Sequence, residues 1–326
     1  MKRWTIDVVI PTFRPDGRFA GLLEKLGKQT RPAGRVIVMN TGRENWEKAD
    51  FEKTPFREGR LENGSVLELY HIPEKAFDHA GTRAMAAEKS TADLILFMTQ
   101  DAVPADEFLI ERLLAVWEKK EQSLNGKRIG AAYARQLPAS DCRFLERYTR
   151  SFNYPGESRI KSAEDIPELG IKTFFCSNVC AVYRREIYEK MGGFASPAIF
   201  NEDMVMAGKM VKEGYLIAYE AEARVIHSHN YTGLQQFHRN FDMAVSQADH
   251  PEIFEGISSE GEGIRLVRKT AGYLIRNRKV WMFPELIWQS GWKYLGYRMG
   301  KHYRRLPAFV IEKCTMNRNY WKNKLS

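Results

Sequence analysis

Five side chains stand where this 326-residue sequence could do chemistry: Asp101, Glu202, Asp203, His227 and His229. The apolar run 94–98 ends in the polar knot Thr99-Gln-Asp101, the pattern of a strand buried on both faces that stops at one carboxylate. Ligands of open parallel sheets bind just beyond the carboxyl ends of strands, so Asp101 is expected where a metal-bound diphosphate would sit. A solvated strand end is the alternative. His227 and His229, two apart in Val225-Ile-His-Ser-His-Asn-Tyr231, share a face if the preceding strand runs through them. With Asp101 they offer mixed nitrogen and oxygen ligands suited to Mn2+, or to Mg2+ if oxygen dominates.

Asn201-Glu-Asp203 opens a helix pattern. Acidic residues there complement the helix dipole, and one of them can equally be the proton acceptor that an alcohol nucleophile needs. His79-Ala-Gly-Thr-Arg-Ala84 places Gly81 and Arg83 at another helix start, where free amides and a guanidinium make a phosphate clamp. An ordinary surface arginine is the competing reading. Val8-Val-Ile-Pro-Thr-Phe13 turns abruptly at a strand end, within reach of a base or ribose. The dinucleotide and P-loop fingerprints do not occur.

The elements that must position these groups alternate. Strand patterns at 6–10, 35–39, 66–70 and 94–98 are separated by helical spacing at 19–26 and a short helix at 82–89, opened by Gly81. That rhythm predicts a parallel, doubly wound sheet. Residues 44–63 read as a polar loop or irregular helix. Further on come a strand at 129–133, a polar excursion over 136–170, a long β-like run at 172–183 and a helix at 185–191 closed by Gly192-Gly193. A helix at 202–213 and a strand at 218–227 follow, and the pattern is mainly helical after Thr232.

Composition is that of a soluble globular protein, 44% hydrophobic and 28% charged. No apolar run approaches the roughly 18–20 residues that cross a bilayer, and the first residues lead straight into a strand, against a cleaved signal peptide. Cys142, Cys176, Cys180 and Cys314 are sparse and irregular, as expected of reduced thiols in the cytosol. The net charge of +9 is concentrated after Arg265, and over 281–305 lysines and arginines interleave with Trp281, Phe283, Ile287, Trp288, Trp292 and Tyr294. Such a tail lies on an anionic surface or packs its aromatics on the core. A nucleic-acid partner is not expected, since it leaves Asp101, Asp203 and the histidines without a task.

In this order the quoted stretches, with Gly192-Gly-Phe194, resemble glycosyltransferase family 2, the inverting GT-A transferases, and in particular its bacterial rhamnosyltransferase branch. The resemblance spans roughly residues 5 to 245. It implies an α/β GT-A (Rossmann-like) fold, a mixed, mainly parallel sheet flanked by helices with a C-terminal helical extension. Residues 1–240 would form the transferase domain, with a nucleotide-sugar half (1–105) and an acceptor half (106–240), and 241–326 a basic, aromatic-rich helical region. Pro11, Thr12, Phe13, Asn40, Arg83, Gln100 and Asp101 would bind the donor nucleotide, Arg83 lying against the diphosphate. Asp203 would be the catalytic base and Glu202 an acceptor ligand. Asp101 and His227 would hold Mn2+ or Mg2+, with His229 the reserve ligand. The implied donor is dTDP-L-rhamnose, or else a UDP-hexose or UDP-N-acetylhexosamine. The implied acceptor is a saccharide or lipid-linked saccharide, met in the cytoplasm or at the inner face of the plasma membrane. Two departures stand out. Thr99-Gln-Asp101 keeps one acid of the family's DxD element, which puts metal dependence in doubt. Gln236-Phe-His-Arg239 is followed by Asn240, where processive members carry QxxRW, so one or a few sugars are expected per acceptor.

Overall fold

A computed structural model describes residues 3–49, 59–257 and 259–325. Its first half runs β1 (Ile6–Phe13), α1 (Gly17–Gly27), β2 (Arg35–Thr41), α2 (Arg43–Lys48), β3 (Val66–Ile72), α3 (His79–Ala87) and β4 (Leu94–Met98). β1 pairs in parallel with both β2 and β4, and β3 adds in parallel to β2. The central strands β1, β2 and β4 carry continuous apolar runs because helices cover both faces, whereas the edge strand β3 is half-buried and mixes in Glu68 and His71. Val8, Ile10 and Leu96 pack with Phe19, Leu22 and Leu23 of α1, while Val9 and Phe97 belong to the opposite core with Ala80 and Ala86 of α3.

The second half runs β5 (Val103–Pro104), α4 (Leu109–Ala115), β6 (Ile129–Leu137), α5 (Phe144–Asn153), β7 (Arg159–Lys161), α6 (Ile166–Leu169), β8 (Cys180–Arg184), α7 (Arg185–Lys190), α8 (Glu202–Lys212) and β9 (Leu216–Ile226). β8 is antiparallel to β4 on one side and to β6 on the other, and β6 is parallel to β9. The sheet order is β3-β2-β1-β4-β8-β6-β9-β5, with β7 also on β9. Two reversals through β8 therefore return the carboxyl ends of β6 and β9 to the edge where β1, β2 and β4 end. The segment entering β8 lies on that same edge.

Four local expectations change. The run 172–183 is not one strand: it is a 3-10 turn at Gly170–Phe174, a loop, and then β8. Phe174 and Cys176 are buried, which mimics a strand pattern, but the backbone at 178 bonds a side chain instead of a ladder partner. α3 starts at His79 rather than Thr82, because Asp78 is its N-cap and accepts from Gly81 N at 2.6 Å. The excursion 136–170 contains α5, β7 and α6. α2 fills the start of the 44–63 segment, of which 50–58 lie outside the described residues.

The C-terminal helices are α9 (Gly233–Asp249), α10 (Pro251–Phe254), α11 (Glu260–Arg276), α12 (Phe283–Lys301), α13 (Ala308–Cys314) and α14 (Arg318–Leu325). Position 240 falls inside α9, so this helix crosses the expected boundary. α12 lies directly on α9: a Cβ on Gly296 or Gly300 would stand 2.2 Å from the carbonyl oxygen of Phe237 or Phe241. The opposite face of α12 stays in solvent. Ile287, Trp288, Tyr294 and Leu295, at helical spacing on one stripe, are exposed, as is Trp281 ahead of the helix (68%). Among the described residues no helix is long and apolar enough to cross a membrane. All four cysteines are buried free thiols.

Candidate active site

Three strand ends form a neutral hydrogen-bonded ledge. In the β1–β2 register Thr12 faces Asn40, and Thr12 Oγ1 donates to Asn40 Oδ1 at 3.3 Å. Asn40 Nδ2 in turn donates to Gly42 O at 2.8 Å and meets His71 Nδ1 at 3.0 Å. Gln100, just past β4, takes Phe13 N on its Oε1 at 2.8 Å and donates from Nε2 to Phe13 O at 3.0 Å. The Phe13 ring is 43% exposed, with the Arg14 guanidinium 4.9 Å from its centroid. Pro11, Thr12, Phe13, Asn40 and Gln100 thus form one continuous rim.

Asp101 sits beside that rim and meets both histidines. Oδ1 lies 3.5 Å from His227 Nε2 and Oδ2 lies 3.3 Å from His229 Nε2. The sequence offered His229 as an alternative to His227; the chain turns after β9 so that both rings reach one carboxylate, 4.6 Å apart and nearly perpendicular. The ligand atoms of all three lie within 4.8 Å of one another. Gln136 sets the tautomer of His227. Its Oε1 accepts from Arg150 Nη1, which can only donate, and lies 3.0 Å from His227 Nδ1. The proton of a neutral ring is therefore on Nδ1, and the Nε2 lone pair faces Asp101. Burial, helped by Arg150 and Arg239, holds His227 well below the usual imidazole range and lowers His229 as well, against the pull of Asp101. One carboxylate and two neutral imidazoles make a donor set that fits a borderline divalent cation such as Mn2+.

The second carboxylate group is buried. Asp203 accepts from Asn178 N at 3.0 Å on Oδ2 and from Met204 N at 2.7 Å on Oδ1. Burial, and then the charge of Glu202, push its carboxyl up to about 7. Glu202 goes the other way. Burial alone would raise it, but Arg83, His79 and Asn178 outweigh that and hold it ionised. Arg83 Nη1 stands 3.3 Å from Glu202 Oε1 and donates to His79 O at 2.9 Å. In place of the expected open phosphate clamp, Arg83 is 6% exposed and paired, and the amide at Gly81 is taken by Asp78. The helix start supplies its own anion, so its charge is spent inside the protein.

The loop entering β8 joins the two groups. Asn178 N reaches Asp203, Ser177 Oγ accepts from Gln136 Nε2 at 3.1 Å, and Val179 O accepts from Thr99 N at 3.2 Å. Residues 177–179 therefore link Asp203 to Gln136, the partner of His227, and to Thr99, two residues before Asp101, at the edge where the strands end.

Residues 7–192 match the family model described as glycosyl transferase family 2. The chain belongs to glycosyltransferase family 2. This family 2 transferase is 37% identical over 320 residues to the O-antigen chain rhamnosyltransferase RfbN of Salmonella typhimurium, covering 98% of this chain and 96% of that protein. It is 41% identical over 319 residues to the O-antigen chain rhamnosyltransferase WbaN of Salmonella anatum, covering 97% and 95%. Solved structures share its fold at low identity. The mannosyltransferase PcManGT from Pyrobaculum calidifontis, in complex with GDP-Man and Mn2+, superposes with a TM-score of 0.60 at 13% identity, over 94% of this chain and 89% of that one. Residues 1–349 of TarS from S. aureus give 0.53 at 14% identity, over 92% and 91%.

Within the transferase, sequence reading passed over Gln136, Tyr154, Ser177 and Asn178. Gln136 lies inside a strand and the 177–178 pair inside an apolar run, so only the adjacent polar pair Ser177-Asn178 was available as a signal. Arg239, noted only for lacking a following tryptophan, stacks on Phe200 at 4.5 Å and Tyr231 at 5.7 Å.

Proposed function

We propose that this transferase moves L-rhamnose from dTDP-L-rhamnose onto a hydroxyl of a cell-surface polysaccharide precursor or lipid-linked saccharide, in one inverting displacement. The choice of sugar rests on the rhamnosyltransferase names of two near-full-length relatives. The reaction rests on one observation: a buried carboxyl poised near neutrality, Asp203, shares the 177–179 loop with the Asp101–His227–His229 cluster.

The rim of Pro11, Thr12, Phe13, Asn40 and Gln100 is assigned to the nucleoside, and Asp101 to the diphosphate end. Asp101, His227 and His229 would hold a divalent ion, with Mn2+ favoured over Mg2+ because two of the three donors are nitrogen. Bound there, such an ion offsets the negative charge of a leaving diphosphate. Asp203 accepts the proton of the acceptor hydroxyl as the new carbon–oxygen bond forms at the anomeric carbon. The bond to the diphosphate oxygen breaks on the opposite face, and the nucleoside diphosphate leaves with that electron pair. Each Asp203 oxygen already takes one backbone N–H, which fixes the carboxylate and leaves a lone pair for the proton. A base whose affinity for the proton lies near the working pH is both available and strong enough. Glu202 is assigned to the acceptor side, held ionised by Arg83.

The outward stripe of α12, together with the exposed Ile264, Val267 and Ile275 of α11, is assigned to an anionic membrane surface. Arg268, Lys269, Arg276, Arg278 and Lys279 flank it, and each basic group near such a surface contributes on the order of 1 kcal/mol.

A thermal-shift panel tests the donor. dTDP and dTDP-sugars with Mn2+ are expected to raise the melting temperature more than UDP or GDP compounds do, since ligand binding to the native state stabilises it by mass action. A larger shift with UDP compounds would reassign the donor to a UDP-hexose or UDP-N-acetylhexosamine.

A further inference from the structure

Beside the Asp101 cluster lies an open pocket of about 180 Å³ that the reaction above does not use. Its walls come from three elements, two close in sequence and one remote: Arg135 and Gln136 at the end of β6, Arg147 and Tyr148 on α5, and Tyr273 on α11, with Tyr154 also in the lining.

Two features give its chemistry. The first is uncompensated positive charge. Arg135 Nε is buried without a hydrogen-bond partner, and Arg147 reaches only the carbonyl oxygens of Ser140 and Cys142, at 3.5 and 3.3 Å. Among the described residues neither guanidinium pairs with a carboxylate, in contrast to the neighbouring Arg150, which Glu146 neutralises at 2.8 Å. Arginines left free in a recess match the geometry of a phosphate. The second is an aromatic platform. Tyr148 and Tyr273 stack at 4.3 Å and 22°, and Phe144 backs Tyr273 at 5.3 Å and 25°. Flat aromatic surface next to hydrogen-bonding groups suits the apolar face of a sugar ring.

The pocket is coupled to the catalytic crevice through one side chain. Gln136 lines it, orients His227 and donates to Tyr154 OH at 2.5 Å. On its far side Lys279 bridges toward the exposed face, 4.9 Å from the Phe144 ring and 5.4 Å from that of Trp281. The pocket thus lies between the reacting groups and the apolar, basic helices.

We propose that this pocket binds the phosphate-linked sugar at the reducing end of the acceptor, Arg135 and Arg147 holding the phosphate and the Tyr148–Tyr273 pair the ring. The inference rests on the reading of the protein as a transferase with a lipid-linked saccharide acceptor, and it adds that the link is a phosphate and where that phosphate sits. It also makes the pocket a selectivity device: an acceptor without its phosphate loses the two arginine contacts.

The test is a calorimetric titration of the full chain that needs no transfer. The donor site is first saturated with Mn2+ and whichever nucleoside diphosphate gives the larger thermal shift. Glucose 1-phosphate, glucose and inorganic phosphate are then titrated into the wild type and into Arg147→Gln and Arg135→Gln. Glucose 1-phosphate is expected to bind at least about tenfold more tightly than glucose or inorganic phosphate, and each variant to weaken it about tenfold, a loss of about 1.4 kcal/mol. Arg147 is exposed on α5, so its variant keeps the fold, and an unchanged thermal shift with the nucleotide verifies this. Equal binding of glucose and its phosphate, an unchanged affinity in both variants, or no binding at all would overturn the assignment. Tight binding of inorganic phosphate alone would reduce the site to a free-anion site and overturn it as well. A wrong donor sugar changes none of these readings, so failure here and failure of the rhamnose reading are separable.

Discussion

The rim assigned to the donor and the carboxylate pair assigned to the acceptor side are built on opposite principles. At the rim, Thr12, Asn40, Gln100 and the Phe13 backbone form a ledge of neutral dipoles, each with partners within 3.3 Å. Across the 177–179 loop, Glu202 and Asp203 are adjacent carboxylates buried beside a single arginine. Neutral networks position a ligand at little electrostatic cost. A buried charged pair is expensive to keep, and its value lies in pushing two identical functional groups to different protonation behaviour. One arginine cannot serve both acids equally, so Glu202 keeps the charge and Asp203 is left as the carboxyl that holds a proton near neutrality, the property its assigned role as base requires.

The largest break in this contrast is Asp203→Asn. Removing a general base costs typically about 10²–10⁴ in rate, so kcat is expected to fall by that factor while the nucleotide-induced thermal shift is retained. Unchanged transfer would remove Asp203 from the role. The same variant alters stability in a defined direction. The native carboxyl holds its proton up to about pH 7, whereas the unfolded one releases it near 3.8. Between these values only the native state carries the proton, so wild-type stability falls as pH rises across that window. Asp203→Asn is expected to remove that contribution, so the stability difference between pH 5 and pH 8 in denaturant titrations shrinks while the smaller part from Asp242, raised to about 6, remains.

Glu202→Gln sharpens the comparison without touching the base. Its charge is the second cause of the high Asp203 value, after burial. The acid limb of kcat/KM, expected to drop tenfold per unit below about pH 7 in the wild type, should move to lower pH in the variant. A limb that stays in place would assign the shift to burial alone. The variant also leaves Arg83 buried without a counter-charge, which typically costs about 3–5 kcal/mol, and chemical denaturation should register a loss of that order.

How much of this was legible in the sequence differs between the two regions. The strands of the first half carry apolar runs, so their positions followed from periodicity and turn residues, while the residues of the ledge at their ends came with the family resemblance and the sheet order came only with the structure. Asp101, His227 and Asp203 were recognisable as a set through the order of their motifs, and their convergence depends on the two reversals through β8, which no local pattern encodes. The loop before β8 was misread for a related reason: Phe174 and Cys176 are buried as strand residues would be, while the backbone between them and β8 serves Asp203. The pairing of Arg83 with Glu202 was not legible because the two are remote in sequence, and the closing of the helix start by Asp78 shows in the bond from Gly81 N to that side chain. Exposure of the α12 stripe was undecidable from composition. Gly296 and Gly300 fix which face packs, since they let the α9 backbone approach where a side chain would collide.

The smallest effect belongs to the neutral rim, and it is the fairest test of the contrast. Gln100→Ala removes two hydrogen bonds to Phe13, one to its N–H and one from the amide to its carbonyl. Both Phe13 groups lie at an exposed edge, so water can replace the lost partner and the net cost is about 0.5–1.5 kcal/mol. Nucleotide affinity should weaken roughly two- to tenfold in a titration, with the pH profile of transfer unchanged, because no charge near Asp203 has been altered. A shift of the acid limb in Gln100→Ala would mean that the rim and the Glu202–Asp203 pair are electrostatically coupled through the 99–101 turn, and the division between a neutral edge and a charged one would fail.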